Sequence, residues 1–214
     1  MREVESDTDT GCLSRREDVR ERLCDTLPGL RAQERMAPRG RISRSYDPNP
    51  PGARHAAVLL VLTTNDELLF IRRANDGRAH GGQIAFPGGA REPADESLEA
   101  TALRETAEEI GLPSPSVTLL GALTQLYIPV SNYVVHPFVA CVNELPPLVC
   151  QPDEVAEVIS VPVDALTGSR GDFEFRRGNA VYRAPCYRRD GIEIWGATAM
   201  ITEEFLTVWE ESRP

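Results

Sequence analysis

Three glutamates within five residues, Glu105, Glu108 and Glu109, are the side chains best suited to chemistry in this chain. At 100° per residue they fall on one side of a helix. Glu105 and Glu109 form an i,i+4 pair of like charges, which costs an isolated helix roughly 0.2–0.5 kcal/mol. A bound cation would offset that repulsion, and ligands that are all oxygen suit a hard divalent ion, Mg²⁺ or Mn²⁺. Upstream, Gly88-Gly89 lets the backbone turn sharply and approach phosphate or carboxylate groups. Arg104 offers a planar fork to a neighbouring carboxylate. Together these residue types suit hydrolysis of a diphosphate, which needs its charge neutralised, a water positioned and the leaving phosphate stabilised. The plainer alternatives are a solvated acidic helix face, an ordinary Arg104–Glu108 bridge and a simple tight turn.

A helix must carry the glutamates. Ala100, Leu103, Ala107 and Ile110 fall in one stripe and predict its core face, with Asp95 as N-cap and Gly111 just past its end. His55–Thr63 and Leu68–Arg72 read as strands joined by the turn Thr64-Asn65-Asp66, a hairpin. Gln83–Ala85, Val117–Leu126, Tyr133–Val142, Phe173–Phe175, Ala180–Tyr182 and Ile192–Trp195 read as further strands. The stretch from Pro152 to Ile159 leads towards another strand and a short helical turn ending near Gly168. Thr198–Trp209 reads as a terminal helix. Ahead of all these, residues 1–11 are polar and lack a folding pattern. Ser14-Arg15-Arg16-Glu17 is a capping box opening a helix to Cys24. Residues 27–54, with five prolines, read as an extended linker. Strands flanking one central and one terminal helix predict an α/β fold with a mixed sheet between helices. The division expected is residues 1–45 as an extension, dispensable for chemistry, and 46–214 as the domain.

Gly89 followed by Arg104-Glu105-Thr106-Ala107-Glu108-Glu109-Ile110-Gly111-Leu112 resembles the Nudix box. That pattern runs Gly, five residues, Glu, seven residues, then Arg-Glu-aliphatic-x-Glu-Glu-x-Gly-aliphatic. Thr106 replaces the aliphatic residue. Gly89 and Arg104 stand one residue further apart than the general pattern, so the isolated acid is Asp95 counted from Gly89 and Glu96 counted from Arg104. The extra residue is similar to the coenzyme A pyrophosphatase branch of the family. That branch's upstream signature is matched in spacing from Arg73 through Arg78 and Gly82 to Phe86-Pro87-Gly88-Gly89, with Phe70 and Ile71 departing from its Leu and Thr. Trp195-Gly196-Ala197-Thr198-Ala199 also resembles that branch.

The resemblance spans roughly residues 50–210 and implies an α/β/α sandwich, a divalent metal cofactor and a coenzyme A-like nucleotide substrate. It implies Glu105 and Glu109 as metal ligands with Glu108 third, and substrate contacts from Arg73, Arg78, Gly88 and Gly89. Arg fits phosphate geometry better than Lys. Glu108 is the first candidate for the base that activates water, with Glu154 and Glu157 as alternatives. Asp95 is either a support for the site or only a helix cap. His80 either orients its loop or touches substrate. His55 and His136 read as packing residues, and Arg176, Arg177, Arg183, Arg188 and Arg189 as a solvated basic hairpin.

Bulk composition agrees. The 214 residues carry a net charge of −10, which argues against nonspecific nucleic-acid binding. The 23 basic residues are all arginine, so no catalytic lysine exists. Five scattered cysteines without Cys-x-x-Cys spacing fit free thiols in a reducing cytoplasm. The acidic start lacks the apolar stretch of a secretory leader, and the run Ala56–Leu62 is too short to span a bilayer. No membrane partner is expected, and the first helix is a candidate homodimer contact. Two rivals accompany the coenzyme A reading. One is another nucleoside-diphosphate substrate such as ADP-ribose, favoured by Pro129 lying 17 residues beyond Leu112. The other is a noncatalytic nucleotide sensor, disfavoured because all three helix glutamates are retained.

Overall fold

Strand β1 (Arg54–Leu62) is apolar on both sides because both are covered. A computed structural model describes residues 8–38, 46–75, 77, 80–177 and 180–212. β1 pairs in parallel with β7 (Tyr133–Val142), Ala57 facing His136. It pairs antiparallel with β2 (Glu67–Arg73) only at Val61 and Leu62. Beyond that point β1 and β2 splay, and one segment fills the gap. Its first part, β3 (Ile84–Ala85), pairs with β2. Its second, β4 (Gly88–Ala90), pairs with β1. β8 (Val155–Pro162) lies on the other edge of β2. The strand expected over Val117–Leu126 is two strands against β7, β5 (Val117–Ala122) and β6 (Leu126–Ile128). The break comes where the Leu123 amide turns to donate to the Pro137 carbonyl.

Alternation along the strands splits the core in two. Ala57, Leu59, Val61, Leu69, Ile71 and Phe138 face helix α3 (Leu98–Ile110). Leu60, Leu62, Leu68, Phe70 and Val139 share the other core with helix α5 (Gly196–Glu211). The fold is therefore an α/β/α sandwich on a mixed sheet, as expected. A short helix α4 (Val163–Thr167) follows β8. The three C-terminal strands form a second sheet, β9 (Arg170–Arg177) and β10 (Ala180–Arg189), both longer than expected, and β11 (Ile192–Trp195), as expected.

The segment ahead of β1 departs from expectation. The first helix, α1, spans Thr8–Cys24, so Ser14 lies within it and does not open it. The expected linker contains a helical turn, α2 (Leu30–Gln33), and a 3-10 turn, Glu34–Met36. The reason lies on α5, where Glu203 and Glu204 are fully buried and need donors. Glu204 accepts from the Gly29 amide (3.1 Å), the Thr124 amide (3.2 Å) and Gln33 Nε2 (2.8 Å). Glu203 accepts from Arg35, Arg170 and the Tyr187 hydroxyl. Val19, Leu23 and Met36 enter the same core as Phe205 and Trp209. Residues 1–7 of the expected polar tail and 39–45 of the expected linker lie outside the described residues.

Candidate active site

The two glycines of β4 have different tasks. Gly88 has φ +143°, and a Cβ there would sit 2.3 Å from the Ala57 carbonyl oxygen and 2.6 Å from Val58 Cα. Only glycine lets β4 approach β1 this closely. A Cβ on Gly89 would fall 2.5 Å from the Glu105 carboxylate. The second glycine therefore makes room for a glutamate of α3.

The core face of α3 is rotated from the expected stripe. Thr101, Ala102, Thr106, Glu109 and Ile110 are buried, whereas Ala100, Leu103 and Ala107 are only half-buried. Thr106 keeps its hydroxyl satisfied by donating to the Ala102 carbonyl at 2.7 Å, so it replaces an aliphatic residue without leaving an unpaired polar group. The rotation buries Glu109, which is 2% exposed. Its Oε2 accepts the Gly88 amide at 2.8 Å, and its Oε1 lies 3.9 Å from the Arg73 guanidinium. Burial pushes its pKa up to about 7, against the lowering effects of the Gly88 amide and Arg73. Glu105 and Glu154 add to the rise. Glu105 is raised too, chiefly by burial, with Arg104 lowering it and Glu108 and Glu154 raising it. Glu108 is exposed.

Arg104 ties the acids together. Its fork donates to Asp95 at 2.9 and 3.0 Å, to Glu105 at 3.0 Å, to Glu108 at 2.9 Å and to the Ala90 carbonyl at 3.2 Å. The N-cap of α3 is Ser97, whose Oγ accepts the Ala100 amide at 3.1 Å, not Asp95 as expected. Asp95 instead accepts from the Glu92 amide, the Thr101 hydroxyl and Arg104. The Arg104 hydrogen bond, then the Glu92 amide, hold its carboxyl well below the usual range. Of the two acids offered by the spacing, Asp95 meets Arg104, and Glu96 is exposed. Gly111 ends the helix in the left-handed region (φ +69°), as expected.

The remaining candidates separate. Arg73 is beside Glu109, while its neighbour Arg72 points to the opposite face and binds Glu157 at 2.6 Å. That pairing removes Glu157 from the glutamates and leaves Glu154, whose charge adds to the rise of both Glu105 and Glu109. Arg78 lies outside the described residues, as do the side chains of Arg176 and Arg177. His80 sits at φ +74° with Nδ1 3.0 Å from Gln83 Oε1, a loop-orienting contact. His55 Nδ1 and His136 Nε2 meet at 3.0 Å across β1 and β7, a pairing that only the parallel register creates. Burial, then the charge of His55, lowers the His136 pKa.

Among the described residues no three His, Cys, Asp or Glu side chains converge on one metal position. Arg104 and the Gly88 amide hold the carboxylates in their present orientations. The donor set nevertheless fits a divalent cation. Two desolvated carboxylates with a third acid close enough to raise both are stabilised by positive charge between them.

The family's own signature decides the assignment, because a model of the NUDIX domain matches residues 53–183. The chain belongs to the Nudix hydrolase family. It is 40% identical over 158 residues to a protein of Photorhabdus laumondii named an uncharacterized Nudix hydrolase, NudL, covering 71% of this chain and 82% of that one. A Yersinia pestis protein of the same name is 40% identical over 152 residues, 69% of this chain and 76% of the relative. The MutT protein of Methanosarcina mazei Go1 superposes with a TM-score of 0.52 at 19% identity, covering 75% of this chain and 96% of that structure, which shows the fold. The Nudix chain is thus an enzyme of a family whose members generally use divalent metal ions. Among the described residues no helix is long and apolar enough to cross a membrane.

Proposed function

We propose that this Nudix hydrolase cleaves the diphosphate of coenzyme A, and of acyl-CoAs, to 3′,5′-ADP and 4′-phosphopantetheine or its acyl form. The observation carrying the reading is Arg73. It stands at the signature position of the coenzyme A branch, and its guanidinium is 3.9 Å from Glu109. A cation there faces both the acidic centre and an incoming phosphate.

Glu105 and Glu109 hold Mg²⁺ or Mn²⁺ in this reading, with Glu108 as third ligand. When bound, the cation neutralises diphosphate charge and acidifies a coordinated water. Asp95 has no contact with substrate; it positions Arg104, which aims Glu105 and Glu108. Gly88 and Gly89 keep backbone rather than side chain beside the phosphates. Glu154 is the better-placed base of the alternatives, because Glu108 is bridged to Arg104 and Glu157 to Arg72. Its carboxylate takes the proton of the attacking water as the new phosphorus–oxygen bond forms and the bridging oxygen leaves with the other phosphate.

The test is a substrate panel of coenzyme A, 3′-dephospho-coenzyme A and ADP-ribose with Mg²⁺ or Mn²⁺, products identified by mass. Coenzyme A should give the highest kcat/KM, and Arg73→Ala should narrow its advantage over the dephospho form. Preferred cleavage of ADP-ribose would overturn the substrate assignment, and binding without any product would favour the sensor.

A further inference from the structure

The chain between β7 and β8 closes the end of α3 and then delivers Glu154. A helix leaves its last four carbonyls without partners of its own. Two of those on α3 are taken by this segment, Ile110 by the Val149 amide at 3.0 Å and Glu109 by the Gln151 amide at 2.9 Å. Gly111 permits the approach, because a Cβ there would lie 3.1 Å from the Val149 carbonyl oxygen and 3.2 Å from its amide nitrogen. The Gln151 carbonyl in turn accepts the Glu154 amide at 3.0 Å and the Val155 amide at 2.8 Å. The backbone of one residue, Gln151, is therefore bonded on one side to Glu109 and on the other to Glu154.

Residue types account for this shape. Gln151-Pro152-Asp153-Glu154 closes by an i to i+3 hydrogen bond, a turn with proline in its second position. Proline presets the backbone angle that this position requires. Pro152 is exposed, so its contribution lies in its backbone and not in burial. Glu154 is fixed on its other side as well. Its carbonyl accepts the Ala74 amide at 2.8 Å, one residue beyond Arg73. The next residue, Val155, is buried in the core that α3 covers. A β-bulge puts it there: Arg72 faces Glu157 and Arg73 faces Val155, so Ala156 is an extra residue against β2. Glu154 itself is exposed. The result is a solvent-reaching carboxylate on a backbone tied down at both ends, and its charge acts on both Glu105 and Glu109.

We propose that Pro152 is a positioning residue for hydrolysis. By stiffening the Gln151–Glu154 turn it holds the Glu154 carboxylate at a fixed place relative to Glu109, so that the base and the acidic centre move as one body. The proposal rests on the reading of Glu154 as the base that takes the water proton, and deepens it by naming what aims that base.

The test is a double-mutant cycle in the full chain with Mg²⁺, run on whichever diphosphate of the substrate panel is hydrolysed fastest. Glu154→Gln should lower kcat about a hundredfold or more, the scale of a lost general base. Pro152→Gly, which frees the turn, should lower kcat about tenfold, with KM and the Mg²⁺ activation midpoint within about twofold of wild type. That split is expected when positioning is lost and binding is not. Pro152→Ala, which leaves the backbone less free than glycine does, should lose less. In the Glu154→Gln background, Pro152→Gly should cost no more than about twofold further, because the group it aims is already gone. Circular dichroism melts confirm that each variant is folded at the assay temperature. A proline that served stability alone would lower Tm and leave the kcat of the folded chain unchanged. A kcat for Pro152→Gly within about twofold of wild type, or an equal loss in both backgrounds, overturns the positioning role and leaves Glu154 as the base. Undiminished turnover in Glu154→Gln overturns the base assignment, and the positioning role falls with it.

Discussion

A chain starting at Ser45 retains every residue proposed for chemistry, and the structure predicts that it does not fold stably. Its loss begins with Val19, Leu23 and Met36, which enter the core formed with α5. Full burial of such side chains is worth roughly 1.5–3 kcal/mol each, so these three alone contribute on the order of 5–9 kcal/mol. Gly121 is small because Leu23 packs there; a Cβ would come within 2.8 Å of the Leu23 Cβ. Truncation also strips Glu204 of the Gly29 and Gln33 donors while the carboxylate stays in an apolar core. It uncovers Trp209, on whose ring the Arg15 guanidinium rests at 3.8 Å. A whole domain is stable by only about 5–15 kcal/mol. Urea denaturation followed by far-ultraviolet circular dichroism should find the truncated chain largely unfolded without denaturant. Met36→Ala in the full chain should cost about 2–5 kcal/mol and leave kcat near wild type. A truncated chain that melts within a few degrees of the full one, with kcat within threefold, would refute the packing argument and restore residues 1–45 as a dispensable extension.

Glu109→Gln should reduce turnover at least a hundredfold while thermal stability at pH 8 holds or rises. Burial raises the Glu109 pKa from 4.5 to about 7, so its contribution to stability is full below pH 4.5 and is lost as pH rises through 7. That gap corresponds to roughly 3 kcal/mol at most. Melting wild type and variant across pH 4–8 without metal checks the sign, which a variant equally pH-dependent would contradict. Asp95→Asn should behave oppositely. The depressed Asp95 pKa stabilises the fold above the ordinary value of 3.8, so the variant's deficit at pH 7 should shrink as pH falls below that value. A deficit constant from pH 7 to pH 3 would exclude the Arg104 pairing as its source. Gly88→Ala should lower Tm and abolish hydrolysis together, because its Cβ would overlap the β1 backbone. Normal melting with normal turnover would show that β4 can retreat from β1.

Local signals carried much of this protein. The alternation in β1 and β2, the Thr64-Asn65-Asp66 turn and the Gly111 helix end are short-range patterns, legible because their causes lie within a few residues. The box glycines and glutamates were legible as chemistry because residue type and spacing constrain it. The partners of those residues are nonlocal. Which of Asp95 and Glu96 meets Arg104 depends on how the chain folds back before α3, and Ser97 rather than Asp95 proved to be the cap. The burial of Glu109 follows from α3 docking on the sheet at an angle that helical spacing alone did not reveal. Glu154 and Glu157 look alike in sequence, and only the β2–β8 register gives Glu157 to Arg72. The N-terminal turns were read as a linker because their prolines are local, whereas the reason they fold, two carboxylates buried on α5, stands about 170 residues away along the chain.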